Sequence, residues 1–233
     1  MRNLLGYGGV GDCFIIILKL IEEQKKNFIY THVESTKEKL SMCGELLEAF
    51  NIKHNLIHSP NLRGWWSLNS DRFDKCFNVC AHGKINCPPR DFHWQPCKDS
   101  GFNKPFNPKK INKHYDTCIQ VNGGIKNKWK NRHIEKRELS KYIKTFELNK
   151  KESCWVGTDK IKNPFGTNFS GKLSLVETLS VIARSKKFIG FNSVLLYWAL
   201  YNRIDTYLFM DHQGKHDIRI HDDWKKYLTY IDD

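Results

Sequence analysis

No stretch of this 233-residue chain approaches the roughly 18–20 consecutive apolar residues that a membrane-spanning helix needs. The apolar stretch Cys13–Leu18 is short, meets Lys19 at once and lacks a small-residue cleavage site, so it does not read as a signal peptide. A soluble, cytoplasmic protein is the expectation. Acidic residues are scarce beside basic ones, 25 against 38, which leaves a net charge of +13. That balance favours anionic partners such as phosphorylated small molecules, and it leaves peripheral contact with the inner face of a membrane open. A general richness in Lys, Asn and Ile accounts for much of the excess. The charge is therefore not taken as a nucleic-acid signal, and a nucleic-acid partner is not expected.

Proline is sparse except in one place: five of the seven lie between Cys80 and Lys113. No Asp-x-Asp metal motif is present, and no motif fixes a nucleophile for Cys–His hydrolysis. Eight cysteines in a cytosolic chain read as reduced thiols rather than disulfides. What the chain does have is core material. Its hydrophobic content of 40% and aromatic content of 13% exclude global disorder.

Apolar periodicity outlines two α/β blocks. Asn3–Leu5 reads as a strand, Gly6–Gly11 as a glycine-rich turn and Cys13–Lys25 as a helix. Asn27–Val33 follows as a strand, Thr36–Phe50 as a helix, and Ile52–Ile57 and Phe73–Val79 as strands. This alternation predicts a parallel sheet with crossover helices. Cys80–Lys113 is expected to be irregular, with a linker near Asn107–His114. A second block then runs through Thr117–Val121 (strand), Ile134–Thr145 (helix), Ser153–Val156 (strand) and Ser174–Arg184 (helix). It continues with Lys187–Gly190 (strand), Val194–Tyr201 (helix), Thr206–Phe209 (strand) and a closing helix over Asp222–Tyr230. The expected architecture is two Rossmann-like lobes, 1–110 and 111–233, facing a cleft.

Gly6, Gly8 and Gly11 satisfy G-x-G-x-x-G between a strand and a helix. Glycine lets the backbone turn tightly, and the helix N-terminus offers free N–H groups to phosphate. Glu34 then stands where a ribose-binding acid would in a dinucleotide site, which keeps an NAD-dependent oxidoreductase open as an alternative. Asp12 argues otherwise. A carboxylate at the helix start repels diphosphate, and it suits a helix cap or a general base.

Gly11-Asp12 before an apolar helix resembles the N-terminal Gly-Asp signature of the heptosyltransferase-like enzymes, glycosyltransferase family nine. Phe73–Val79 followed by His82-Gly83-Lys84 is similar to a further segment of that family. Gly171-Lys172-Leu173-Ser174-Leu175-Val176-Glu177 is similar to its Gly-x-x-Ser-Leu-x-Glu helix start, and Ile182–Ser185 and Phe188–Gly190 continue in register. The resemblance implies a GT-B fold and a metal-independent glycosyltransferase without a cofactor. The enzyme would move a sugar from a nucleotide-sugar donor to a glycan or lipid-linked acceptor, in cell-envelope polysaccharide synthesis. It also implies roles. Asp12 would be the catalytic base, and Gly11 beside it would contact the nucleotide sugar. Glu177 would bind the donor ribose. Gly123 in the turn Asn122–Gly124, Lys126 or Lys128 next to Trp129, and Asn192 and Ser193 would hold the donor diphosphate and sugar. The chain departs from the family where Asn127 stands at the usual lysine position. It departs again where Asn192-Ser193-Val194, with Tyr197, replaces Asp-Thr/Ser-Gly and a following His. A non-catalytic nucleotide- or nucleic-acid-binding relic of the fold is thus a further alternative.

Two other groups stand out. Cys76, Cys80, Cys87 and Cys97, with His82 and His93 between them, could ligate zinc, although their spacing matches no familiar finger. Trp65, Trp66, Phe92, His93 and Trp94, expected in irregular stretches among Arg63 and Arg90, suit sugar stacking, single-stranded nucleic acid or local hydrophobic packing.

Overall fold

The structure is a computed structural model that describes residues 1–23, 27–78, 114–123, 133–134, 146–162, 164–210 and 222–231. The chain divides into two compact units, Met1–Gly101 and Phe102–Asp233. The expected linker lies, apart from His114, outside the described residues, as does most of the expected helix Ile134–Thr145.

In the first unit, aromatic and branched residues build β1 (Arg2–Tyr7), β2 (Phe28–Glu34), β3 (His54–His58) and β4 (Lys75–Asn78). They pair in the order β3-β2-β1-β4, and every pairing is parallel. Helices α1 (Val10–Glu23), α2 (Lys37–Ala49) and α3 (Leu62–Asn69) make the crossovers. Side chains alternate across a strand, so β2 turns Tyr30, His32 and Glu34 to one face and Thr31 and Val33 to the other. Leu5, Tyr7 and Val33 join Trp66 of α3 and Cys76 in one buried cluster. The opposite face lies under α1 and α2, where Phe14, Ile16, Ile17, Cys43 and Leu47 are buried.

Two sequence expectations are corrected here. Trp65 and Trp66 are not in an irregular stretch: they lie on α3, which Asn61 starts by accepting the Gly64 N–H at 2.9 Å. Trp66 then packs edge-on against Tyr7, ring centroids 4.6 Å apart. The glycine-rich turn is also shorter than expected. Gly6 belongs to β1 and Gly11 to the first turn of α1, so only Gly8 and Gly9 turn the chain. Gly8 has φ +125°, and a Cβ there would sit 2.7 Å from the Asp12 side chain.

The second unit pairs β5 (Tyr115–Gln120), β6 (Ser153–Val156), β7 (Thr167–Asn168), β8 (Ser185–Gly190), β9 (Asp205–Phe209) and β10 (Leu228–Ile231). Their order is β10-β9-β8-β5-β6-β7, again with parallel pairings. The helices are α4 (Leu175–Ile182), α5 (Val194–Tyr201) and the short α6 (Asp222–Lys225). Helix α5 is buried all round, with Trp198 fully enclosed and its indole N–H donating to the Leu179 carbonyl at 2.7 Å. The expected closing helix is a single turn. Leu228–Ile231 is a strand instead, because its branched and aromatic residues find the free edge of β9 and Ile231 enters the core. The α/β class with parallel sheets stands.

Candidate functional site

Read in chain order, the two sheets share one topology. In each, the first strand is flanked on one side by the second and on the other by the fourth, so the order reverses beside β1 in the first unit and beside β5 in the second. In open α/β sheets, ligands bind outside the carboxyl ends of the strands at such a reversal. Asp12 lies just after β1, and Asn122 and Ser193 lie just after β5 and β8, beside these two reversals.

In the first unit, β1 ends at Tyr7 and α1 begins at Val10. The Cys13 N–H reaches the Gly9 carbonyl at 2.9 Å, which closes the first helical turn. Asp12 is the third helical residue, and its Oδ2 accepts the Gly9 N–H at 3.0 Å. This is half of a capping box, and it sets negative charge against the positive end of the helix dipole. The carboxylate is partly exposed and held by the backbone at the reversal point. Glu34 is employed differently. Its Oε1 accepts from Ser35 N–H at 2.8 Å, Ser35 hydroxyl at 2.9 Å and Thr36 N–H at 3.1 Å. It is buried and closes the turn into α2, an arrangement that does not present that oxygen to a ribose.

Beneath the glycine turn lies a polar cluster that the sequence reading missed. His32 is fully buried, with Nε2 3.1 Å from the Gly8 carbonyl and Nδ1 2.8 Å from the Tyr30 hydroxyl. Gly6 leaves the space that the Tyr30 hydroxyl fills. Cys13 and Cys43 are buried beside the imidazole. Burial pushes the Cys13 thiol up, while the hydrogen bond from Cys13, helped by His32, holds Cys43 down at about 6. Burial likewise raises the Tyr30 phenol.

In the second unit the organising residue is Gln120, at the end of β5 and nearly inaccessible. Its Oε1 accepts the Phe191 N–H at 3.0 Å, and its Nε2 donates to the Asn122 carbonyl at 2.7 Å and the Ser193 hydroxyl at 3.1 Å. Gly190 makes room for it, since a Cβ there would press on the Gln120 amide and the Phe188 ring. Ser193 also caps α5 by accepting the Leu195 N–H at 3.2 Å. Asn122 extends the network. Its Oδ1 accepts from Thr158 N–H at 3.1 Å and Asp159 N–H at 3.2 Å, and its Nδ2 donates to the Thr158 hydroxyl at 2.8 Å. The Gly171 N–H then bonds the Gly157 carbonyl at 2.8 Å, tying in the loop that leads to α4.

That loop ends in a full capping box. The Ser174 N–H donates to Glu177 Oε2 at 2.9 Å, and the Glu177 N–H donates to the Ser174 hydroxyl at 3.3 Å. Glu177 is exposed. One carboxylate oxygen is thus used locally, as expected of Glu at this helix position. Asn122 and Ser193 are thereby tied together beyond the end of β5, next in sequence to Gly123 and Asn192, while Glu177 stands in the first turn of α4. Lys126 and Lys128 lie outside the described residues. So do Cys80, Cys87, Cys97, His82 and His93, whereas Cys76 is buried on β4 and donates to the Ser70 carbonyl at 3.6 Å. Gln120 carried no local sequence signal, since it stands between Ile119 and Val121 in a strand that also holds Asp116 and Thr117.

No family model matches the chain, and no curated protein matches it in sequence. Solved structures do match in fold. The E. coli heptosyltransferase WaaC with ADP superposes at TM-score 0.59 and 11% identity, over 100% of this chain and 93% of that one. The E. coli ADP-heptose lps heptosyltransferase II gives TM-score 0.53 and 12% identity, over 99% and 90%. The dodecameric iron-containing heptosyltransferase TibC, in complex with ADP-D-beta-D-heptose, gives TM-score 0.51 and 15% identity; 89% of this chain is covered but only 58% of TibC. The fold is that of the heptosyltransferases, at low identity.

Proposed function

We propose that this chain is a glycosyltransferase that takes a sugar from a nucleoside diphosphate sugar. The carrying observation is the seat of Asp12, a partly exposed carboxylate held by a backbone N–H at the strand-order reversal of a heptosyltransferase-like fold. Sugar transfer needs three things: a base for the acceptor hydroxyl, an anchored donor, and stabilisation of the departing diphosphate. Asp12 supplies the base. On the second unit, Glu177 hydrogen-bonds the donor ribose. Gly123 lets the donor approach the backbone, and Asn192 and Ser193 hold phosphate or sugar oxygens, with Lys126 and Lys128 neutralising the diphosphate. The helix start at Val194 adds dipole stabilisation. The acceptor is a glycan or lipid-linked sugar, and the donor is an ADP-sugar of the kind that WaaC and TibC are seen with.

A thermal-shift panel of ADP-, UDP- and GDP-sugars beside NADH and NADPH tests this reading. A donor at one hundred times its Kd stabilises by about 2.7 kcal/mol, so the ADP-sugar is expected to raise the melting temperature by roughly 5–10 °C. A shift with a nicotinamide cofactor and none with any nucleotide sugar would overturn the proposal.

Glu177→Gln separates the ribose role from the helix cap, because glutamine also serves in a capping box. The melting temperature should hold. Donor Kd should rise about tenfold as a charged hydrogen bond becomes a neutral one. Titration calorimetry giving an unchanged Kd would remove Glu177 from the site.

A further inference from the structure

Cys13, His32 and Cys43 come from three different elements, α1, β2 and α2, and meet in the core of the first unit. One ligand atom from each, the two sulfurs and a ring nitrogen, lies within 4.8 Å of the others. All three side chains have no exposed surface. The imidazole is pre-set for such a role. With Nε2–H on the Gly8 carbonyl, an outer partner that metal-bound histidines use, Nδ1 is the acceptor nitrogen; it now bonds the Tyr30 hydroxyl, and loading exchanges that hydrogen bond for the ion. The Tyr30 hydroxyl, 2.8 Å from Nδ1, is an oxygen donor at the same spot.

We propose that Cys13, His32 and Cys43 form a structural site for one divalent zinc or ferrous ion, with the Tyr30 hydroxyl as the fourth donor. Two thiolates and an imidazole are a soft-to-borderline set that excludes magnesium and calcium. Loading releases the two thiol protons to solvent. The two sulfur charges then cancel the ion's charge, so the filled site is neutral, which is the form a dry core tolerates. A tetrahedral ion with metal–sulfur near 2.3 Å and metal–nitrogen near 2.0 Å sets its ligands roughly 3.5–3.8 Å apart, so movements of about 1 Å close the set. The ion pins the first turn of α1, which carries Asp12, to β2 and α2. The second unit contains a contrast: Cys118 and Cys154 are also buried, as register partners on β5 and β6, but among the described residues no histidine or carboxylate joins them in a ligand cluster.

Metal analysis of the full-length protein, purified without chelator, is expected to find about one zinc or iron per chain by the ligand count of the site. Cobalt(II) added to the metal-free protein should give a sulfur-to-cobalt charge-transfer band that saturates at one equivalent. The band should survive in the triple variant C80S/C87S/C97S and vanish in Cys43→Ser and in His32→Gln. Should those two variants fail to fold, the wild-type and triple-variant titrations decide alone. Absence of the band in the wild type, its loss in the triple variant, or a Cys13–Cys43 disulfide found by peptide mapping would each overturn the proposal.

Discussion

Asp12→Asn should abolish most sugar transfer while leaving donor binding intact. General-base catalysis contributes about 10²–10⁴-fold, so turnover should fall by that factor, equivalent to roughly 3–5 kcal/mol in the barrier. The substitution suits the local geometry. The asparagine carbonyl oxygen can still accept the Gly9 N–H that now bonds Oδ2 at 3.0 Å, so the turn keeps its hydrogen bond. Only the charge is lost, and with it a helix-dipole term of about 0.3–1 kcal/mol. Steady-state assays should show kcat reduced and donor KM within about twofold, the signature of an interaction made in the transition state. A variant that retained a tenth or more of the wild-type kcat would assign Asp12 to helix capping alone.

Gln120→Leu is expected to be the most destabilising single change near the donor side. Leucine fills nearly the same volume, so cavity formation is a minor factor. Hydrogen bonding decides the outcome. The bonds that the Gln120 amide makes with the Phe191 N–H and the Asn122 carbonyl are both broken, in a buried setting. Each buried hydrogen bond broken by removing one partner costs about 1–3 kcal/mol, so urea denaturation should report a loss of roughly 2–5 kcal/mol. The loop carrying Asn192 and Ser193 is released at the same time, so the donor-induced thermal shift should shrink as well. A loss below about 1 kcal/mol with an unchanged donor shift would show that this buried amide organises nothing.

Much of the framework was legible because it rests on local pattern. Ser153–Val156 and Val194–Tyr201 form as expected, both being apolar runs closed by glycine or begun by a capping serine. Short elements were harder. Gly64 and Pro60 around Trp65 and Trp66 suggest a loop, yet the Asn61 cap and the burial of Trp66 outweigh the glycine and make α3. The helix expected over Asp222–Tyr230 stops at Lys225, because strand formation at Leu228–Ile231 depends on an open neighbour, β9, and nothing local reports it. The site shows the same division. Asp12, Glu177 and Ser193 announce themselves as helix-start residues. The Gln120 network does not, since its partners Phe191 and Ser193 lie 71 and 73 residues away. Nor does the Cys13–His32–Cys43 cluster, whose members sit singly in three separate segments.

The pairing register of β1 governs how the surroundings of Asp12 come into being. Arg2 pairs with Phe28 and Leu5 with Cys76, so the central strand is joined on one side across 26 residues and on the other across 71. Closing the longer loop costs only about 1 kcal/mol more in chain entropy. Contacts of such separation are, however, what slows folding. A fragment ending before Lys75 could contain β1, β2, β3 and the entire glycine turn, with Asp12 in place on its helix. It would still lack the strand-order reversal, because β4 is the strand that flanks β1 on its other side. The acid belongs to the first dozen residues, but its binding environment depends on a long-range closure.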